Sequence, residues 1–219
     1  MSRFKAAIFD LDGVIADTAC LHFAAWQRLA QQEGFEIPGD ADERLKGVDR
    51  MASLDIVLER TEPGRYSHEQ KQELANRKNR HYQQLITMLT PQDMLPGAKT
   101  LLDQLTAWSV PMALASASKN AQAVLEGLGI AHQFQYIADA ARINHPKPDP
   151  EIFLTAAAGL NLPPSECMGL EDAAAGVTAI KRANMFAVGV GDPKALAEAD
   201  LIVASLEDFD AKTFFGPQA

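Results

Sequence analysis

Cysteine, positive charge and long apolar runs are scarce in this chain of 219 residues. The two cysteines, Cys20 and Cys167, have no setting that resembles a metal-binding or redox pair, which favours a reducing compartment. No apolar run approaches the roughly 18 residues that a membrane-spanning helix needs. Asp10 and Asp12 interrupt the amino-terminal apolar stretch, which argues against a secretory leader. We therefore expect a cytoplasmic protein.

The excess of acidic residues limits the choice of partner. Lysine and arginine number 20 against 29 aspartates and glutamates, a formal charge of -9. Such a charge argues against nucleic acid or an anionic membrane as a partner, so a phosphorylated substrate would need a local cluster of cations. A composition of 47% hydrophobic and 22% charged residues is typical of a globular protein. There are no internal repeats or low-complexity segments.

The stretch from Ala6 to Gly13 is the most informative in the chain. Its apolar start, residues 6–9, predicts a buried strand, and Asp10 and Asp12 follow directly. Side chains two apart on an extended chain point the same way, so both carboxylates should project beyond the carboxyl end of the strand. Two adjacent buried acids repel each other unless one is protonated or a cation lies between them. The alternative interpretation is a strand that ends in a solvated acidic turn.

Strands and helices alternate along the second half of the chain. The predicted strands after the first are 110–115, 134–137, 167–170, 186–190 and 201–204. The predicted helices are 96–108, 120–127, 150–158, 173–183 and a short one near Ala195, while the residues after Ala204 give no readable pattern. This alternation predicts an α/β protein with a Rossmann-like, mainly parallel sheet covered on both faces.

About 100 residues separate the first two strands, whereas a crossover needs only about a dozen. The intervening residues carry helical patterns with their own apolar faces: 18–33, a short helix in the fifties, and a long one from the Ser67 capping box to about Leu89. We interpret residues 17–88 as a helical cap inserted into a core of residues 1–16 and 89–219. Lys78 lies on the apolar side of the long helix, where it must snorkel or meet an anion.

Polar residues follow several of the predicted strands. Besides the two aspartates these are Ser116, Lys147, and the pair Glu171 and Asp172, all expected at the carboxyl edge of the sheet. Four carboxylates in one cleft require a hard cation, and oxygen ligands favour Mg²⁺ over Zn²⁺. Seen singly, Glu171 and Asp172 also fit a helix N-terminus, and Lys147 also fits a solvated loop.

Four ordered motifs carry a resemblance that covers nearly the whole chain. The sequence Asp10-Leu-Asp-Gly, the Ser116-Ala-Ser segment, Lys147-Pro and Glu171-Asp172 resemble the four motifs of the haloacid dehalogenase superfamily. Further segments resemble the sugar-phosphate mutases of its helical-cap subgroup: Asp17-Thr18, His22-Phe23 with Trp26, Leu45-Lys46-Gly47-Val48, Arg77-Lys78-Asn79, and Ser116-Ala117-Ser118-Lys119-Asn120.

The resemblance implies an isomerase that interconverts β-glucose 1-phosphate and glucose 6-phosphate. Asp10 would be the nucleophile that forms an aspartyl-phosphate, and Asp12 would be the general acid and base. Thr18 and His22, at the hinge between cap and core, would position Asp12. The Lys147 ammonium would stabilise charge at the phosphoryl group.

The resemblance also implies how ligands bind. Mg²⁺ would be held by Asp10, the Asp12 carbonyl, Glu171 and Asp172. Glucose 1,6-bisphosphate would be the priming intermediate, with one phosphate on Ser116 and the other gripped by Arg50, Ser118, Lys119 and Asn120. The remaining substrate-binding residues would be Gly47, Val48, Lys78 and Ala117.

Two other functions stay open at this point. A cap-bearing sugar-phosphate phosphatase would share the first half-reaction, and a non-catalytic binding domain would share only the fold. The cation set formed by Arg50, Lys78 and Lys119 favours the mutase because a bisphosphate must be gripped at both ends. We expect a monomer that acts on a small sugar phosphate.

Overall fold

A computed structural model describes residues 4–216 of the chain. Its centre is a six-stranded parallel sheet with the strand order β3-β2-β1-β4-β5-β6. The strands are β1 (Ala6–Phe9), β2 (Met112–Leu114), β3 (Tyr136–Ile137), β4 (Cys167–Glu171), β5 (Phe186–Val190) and β6 (Leu201–Val203). The predicted α/β class and parallel sheet are thus confirmed. The third strand is shorter than the predicted 134–137.

Both faces of the sheet are buried, as expected for parallel strands joined by helices. Ala7 and Phe9 of β1 pack into one apolar cluster, while Ala6 and Ile8 pack into another on the opposite face. The helices are α1 (Ala19–Glu33), α2 (Ala41–Arg44), α3 (Arg50–Val57), α4 (His68–Ile86), α5 (Ala98–Ala107), α6 (Ala121–Gly127), α7 (Glu151–Gly159), α8 (Ala174–Arg182) and α9 (Ala211–Phe215). None of the helices in residues 4–216 is long and apolar enough to cross a membrane.

Helices α1 to α4 lie between β1 and β2 in the sequence and have an apolar cluster of their own. Its buried members are Trp26, Leu29, Leu54, Val57, Leu58, Leu74 and Ala75. The predicted Ser67 capping box is present at the start of α4, with both reciprocal hydrogen bonds formed to Gln70. Helix α4 ends at Ile86 rather than near Leu89. These four helices lie within residues 17–88, the segment that we interpreted as a cap.

The carboxyl-terminal part of the chain departs from the sequence prediction in two places. The predicted short helix near Ala195 is wrong, because residues 191–200 form turns. A helix, α9, follows the last strand although the sequence after Ala204 gave no pattern. Its Phe215 is buried, with its ring centroid 6.4 Å from that of Phe4. Helix α9 therefore packs into the apolar cluster that contains Phe4.

Candidate active site

The acidic loop leaves the sheet at its centre. Strand β1 pairs with β2 on one side and β4 on the other, so its carboxyl end lies between theirs. The Asp10 amide donates to the Leu170 carbonyl at 2.9 Å and so continues the pairing with β4. The Asp10 side chain is buried beside that strand. The loop then turns sharply at Gly13, whose φ is 80°.

Lys147 reaches Asp10 from a distant loop. Its Nζ atom lies 2.6 Å from Asp10 Oδ1 and 2.7 Å from Glu171 Oε2, and all three side chains are at most 4% exposed. Burial alone would lower the pKa of Lys147, but the two carboxylates raise it above its ordinary value. Lys147 is therefore a permanently charged ammonium at physiological pH. The alternative of a solvated loop charge is wrong.

Three carboxylates form a candidate metal centre. Asp10, Glu171 and Asp172 each offer an oxygen, and these oxygens lie within 4.8 Å of one another. Burial and then neighbouring acids raise the pKa of Asp172 to about 9, while burial and Asp10, opposed by Lys147, raise that of Glu171 to about 7. One ammonium does not balance three carboxylates. The all-oxygen donor set, whose charge when all three acids are ionised exceeds what Lys147 offsets, fits a divalent hard cation such as Mg²⁺.

Two glycines allow these carboxylates to approach. A Cβ atom on Gly13 would lie 2.1 Å from Asp172 Oδ2, and one on Gly176 would lie 2.0 Å from Glu171 Oε2. Such distances are far below van der Waals contact, so any side chain there would displace the acid. Gly176 lies in the first turn of α8, directly after β4. The strand-to-helix connection is therefore shaped around the acid cluster.

Asp12 lies between the sheet and the inserted helices. It accepts a hydrogen bond from Thr18 Oγ1, the N-cap residue of α1, and lies 3.9 Å from His22 Nε2. Burial and the Asp10 charge raise the pKa of Asp12 to about 6. Burial, Lys78 and Arg50 hold the pKa of His22 well below 6.5, so its imidazole is neutral. The expected approach of Thr18 and His22 to the acidic loop is thus seen.

Lys78 is the second buried cation of the site. Its Nζ lies 2.5 Å from His22 Nδ1, and 4.8 Å from the ring centroid of Trp26. When Lys78 is protonated it has no acceptor, so His22 Nδ1 then accepts and the Nε2 proton faces Asp12. The ring of Tyr82 stacks on His22 with centroids 3.7 Å apart. Burial and the Arg50 charge lower the pKa of Lys78 to about 7, as expected for a cation on an apolar helix face.

A cavity of about 310 Å³ joins these groups between the inserted helices and the sheet edge. Most residues that the sequence predicted for the site line it: Asp10, Asp12, His22, Gly47, Val48, Arg50, Lys78, Ala117, Ser118, Lys119, Asn120 and Asp172. Four others are buried behind its wall: Thr18, Ser116, Lys147 and Glu171. The structure thus brings the predicted residues together around one space.

The loop after β2 forms one end of the cavity. The Ser118 amide donates to Ser116 Oγ at 3.1 Å, and the Asn120 amide donates to Ser118 Oγ at 3.3 Å, which folds the loop tightly before α6. Arg50, the first residue of α3, lines the same cavity. The Asp49 side chain caps α3 by accepting hydrogen bonds from the Met51 and Ala52 amides. This cap fixes the start of the helix and therefore the position of Arg50.

Three residues of the site had no role in the sequence prediction. Asn79 accepts from Arg50, Tyr82 stacks on His22, and Trp26 lies against Lys78. Asn79 and Trp26 belong to the segments that carry the resemblance, so that signal was available. Tyr82 lies one turn after Lys78 on the same helix face, a spacing that predicts a position beside Lys78 in the site.

Comparison with known proteins identifies the family to which the chain belongs. Residues 4–184 match the family model of the haloacid dehalogenase-like hydrolases, and the chain belongs to that family. The narrower resemblance is also confirmed. The β-phosphoglucomutase of Bacillus subtilis strain 168 is 49% identical over 205 residues, which are 93% of this chain and 91% of the relative.

A solved structure and a second relative extend the comparison. The 2.27 Å crystal structure of β-phosphoglucomutase from Clostridium difficile aligns with a TM-score of 0.91 and 46% identity, covering 95% of this chain and 94% of that one. The fructose-1-phosphate phosphatase of Escherichia coli K12 is 30% identical over 192 residues, 86% of this chain and 97% of the phosphatase. Mutases and phosphatases of sugar phosphates thus share the fold.

Proposed function

We propose that this chain is an isomerase that interconverts β-D-glucose 1-phosphate and glucose 6-phosphate. The observation that carries the proposal is a buried carboxylate, Asp10, held by Lys147 at the edge of a cavity that the inserted helices cover. The 49% identity to a β-phosphoglucomutase over 93% of the chain supports the choice of reaction. The free thiols Cys20 and Cys167 suit a cytoplasmic location.

Asp10 is the nucleophile of this proposal. One of its oxygens attacks the phosphorus atom of a sugar phosphate, the bond from phosphorus to the sugar oxygen breaks, and an aspartyl-phosphate remains. The Lys147 ammonium stays beside the reacting carboxylate and offsets the charge that approaches it. Ser116, buried at the end of the neighbouring strand, supports the transferred phosphoryl group.

Asp12 handles the proton. It protonates the leaving sugar oxygen in one direction and removes the proton of the attacking sugar hydroxyl in the other. A pKa of about 6 suits both tasks near neutral pH. Thr18, the N-cap residue of α1, and His22, within α1, hold Asp12 in position and connect it to the inserted helices.

Asp10, Glu171, Asp172 and the Asp12 main-chain carbonyl would hold Mg²⁺. Bound there, the ion would offset the charge of the transferred phosphoryl oxygens and of the acids themselves. Arg50, Ser118, Lys119 and Asn120 would bind the second phosphate of glucose 1,6-bisphosphate. Gly47, Val48, Lys78 and Ala117 would contact the sugar, since they line the same cavity. Residues 17–88 would act as the cap and residues 1–16 and 89–219 as the core.

Mg²⁺ should stabilise the protein more at about pH 8 than at about pH 6. The folded pKa values of Glu171 and Asp172 are raised to about 7 and about 9, so the folded state binds more protons than the unfolded state. The metal-free protein therefore loses stability as the pH rises through this range, and a cation that binds the ionised acids removes that loss. Thermal unfolding with and without Mg²⁺ at both pH values measures the effect. An equal shift at both, or a shift retained in Asp172→Asn, would contradict the assignment.

The product ratio tests the proposed reaction. We expect β-glucose 1-phosphate, offered with Mg²⁺ and a trace of glucose 1,6-bisphosphate, to give mainly glucose 6-phosphate and little free phosphate. The α anomer, offered as a control, should give no glucose 6-phosphate. If free phosphate is the main product of the β anomer, the protein is a phosphatase like its 30% identical relative and the proposal fails.

A further inference from the structure

The side chain of Asn79 occupies a junction that the proposed mechanism does not use. Its Oδ1 atom accepts two hydrogen bonds, each 2.9 Å long, from Arg50 Nη2 and from Asn120 Nδ2. Arg50 and Asn79 lie on the inserted helices α3 and α4, whereas Asn120 lies at the start of core helix α6. One carbonyl oxygen therefore joins two groups that are proposed to grip the second phosphate, one from the inserted helices and one from the core.

Gln83 adds a second connection between the same helices. It lies four residues after Asn79 on α4, so both side chains share one helix face. Its Nε2 donates to Asn120 Oδ1 at 3.2 Å. The side-chain amide of Asn120 thus donates to Asn79 and accepts from Gln83, and these two hydrogen bonds fix its orientation. We refer to Asn79, Gln83 and Asn120 as the amide latch.

The chemistry of the latch suits the residue that it holds. An amide oxygen orients the Arg50 guanidinium without neutralising it, whereas a carboxylate in its place would compete with a phosphate for the same charge. Arg50 keeps its full charge toward the cavity that it lines. The Asn79 oxygen that bonds Arg50 also bonds the core residue Asn120, so the orientation of Arg50 is tied to the contact between the inserted helices and the core.

We propose that the amide latch couples closure of the cap to the phosphate grip, with Asn79 as the positioning residue. The inference rests on the proposed mutase function. Water is excluded from the aspartyl-phosphate only while the cap is closed, and the latch favours closure when Arg50 is in place to hold the second phosphate. The latch thereby biases phosphoryl transfer toward a sugar hydroxyl and away from water.

Three substitutions test the coupling. Asn79→Ala removes both hydrogen bonds and should raise the ratio of free phosphate to glucose 6-phosphate about tenfold, as expected for two bonds of ordinary strength. Gln83→Ala removes one bond from an exposed residue and should raise it by a smaller factor. Gln84→Ala is the matched control: Gln84 is also exposed, and it bonds Arg28 within the inserted helices at 3.2 Å. It should leave the ratio unchanged.

Asn79→Asp separates positioning from folding. The carboxylate keeps an acceptor for both donors, so the product ratio should remain low. It also neutralises Arg50, so KM for glucose 1,6-bisphosphate should rise while the ratio does not. A residue with a purely structural role would not separate these two quantities. Equal behaviour of Asn79→Ala and Asn79→Asp in both would contradict the inference.

X-ray scattering in solution tests the latch without using activity. The free protein should expand in Asn79→Ala and Gln83→Ala relative to the wild type and Gln84→Ala, because the cap is held less firmly. An unchanged radius of gyration together with an unchanged product ratio would overturn the inference. If Asn79→Ala does not fold, the same two measurements on Gln83→Ala test the inference. Wild-type protein that yields only free phosphate would instead refute the proposed function, while scattering would still decide whether the latch exists.

Discussion

Replacing Asp10 by Asn should abolish both formation of glucose 6-phosphate and release of free phosphate while the protein stays folded. The amide has nearly the same shape but is a poor nucleophile, and every turnover in the proposed mechanism begins on this carboxylate. Loss of a nucleophile lowers turnover by roughly four orders of magnitude or more. The amide oxygen can still accept from Lys147, so the packing of the loop should persist.

Asp17→Asn is the matched control for this change. Asp17 is an exposed carboxylate on the same loop, and its side chain accepts from the Cys20 amide at 3.4 Å. Turnover of this variant should equal that of the wild type, and circular dichroism should report the same helix content in both variants. Substantial turnover by Asp10→Asn would remove Asp10 from the role of nucleophile.

Lys147→Met should lower both activity and stability. Activity should fall by about 10²- to 10³-fold, the usual loss when a preorganised donor at the reacting group is removed. The substitution also leaves Asp10 and Glu171 buried beside each other without their cation, and breaking a buried pair on one side costs about 3–5 kcal/mol. Urea unfolding of the metal-free protein at neutral pH measures this loss.

The stability loss of Lys147→Met should grow with pH. Lys147 lowers the pKa of Glu171, so its removal raises that pKa further above about 7. The folded variant then retains a proton that the unfolded chain releases, and its stability falls as pH rises from about 6 to about 8. Lys5→Met is the control, because it removes an ion pair with Glu166 in which the Lys5 side chain is 60% exposed. This change should lower the free energy of unfolding by less than about 1 kcal/mol. A comparable loss in both variants would contradict the account.

The sequence predicted the positions of several candidate site residues where one structural rule was sufficient. Parallel strands bring their carboxyl ends to one edge, so acids that follow β1 and β4 had to meet once those strands were neighbours. The apolar position of Lys78 and the Ser67 capping box likewise followed from helix periodicity and local chemistry. These features depend on residues close in sequence or on the sheet as a whole.

Other features depend on tertiary packing that spacing does not encode. The hydrogen bond from Lys147 to Asp10 joins residues 137 positions apart, and that from Asn120 to Asn79 joins residues 41 positions apart. Both hydrogen bonds form only when loops and helices that are distant in sequence pack against each other. A helix was wrongly predicted near Ala195, and helix α9 was missed, because both segments are short and their structure depends on the apolar clusters that they pack against.

A direct test of the central claim is to locate the transferred phosphoryl group. Brief incubation with labelled glucose 1,6-bisphosphate and Mg²⁺, followed by acid quench and peptide mapping, should place the label on the peptide that contains Asp10. That label should pass to sugar when glucose 6-phosphate is added before the quench. Label on any other residue, or none on a protein that still turns over substrate, would contradict the account.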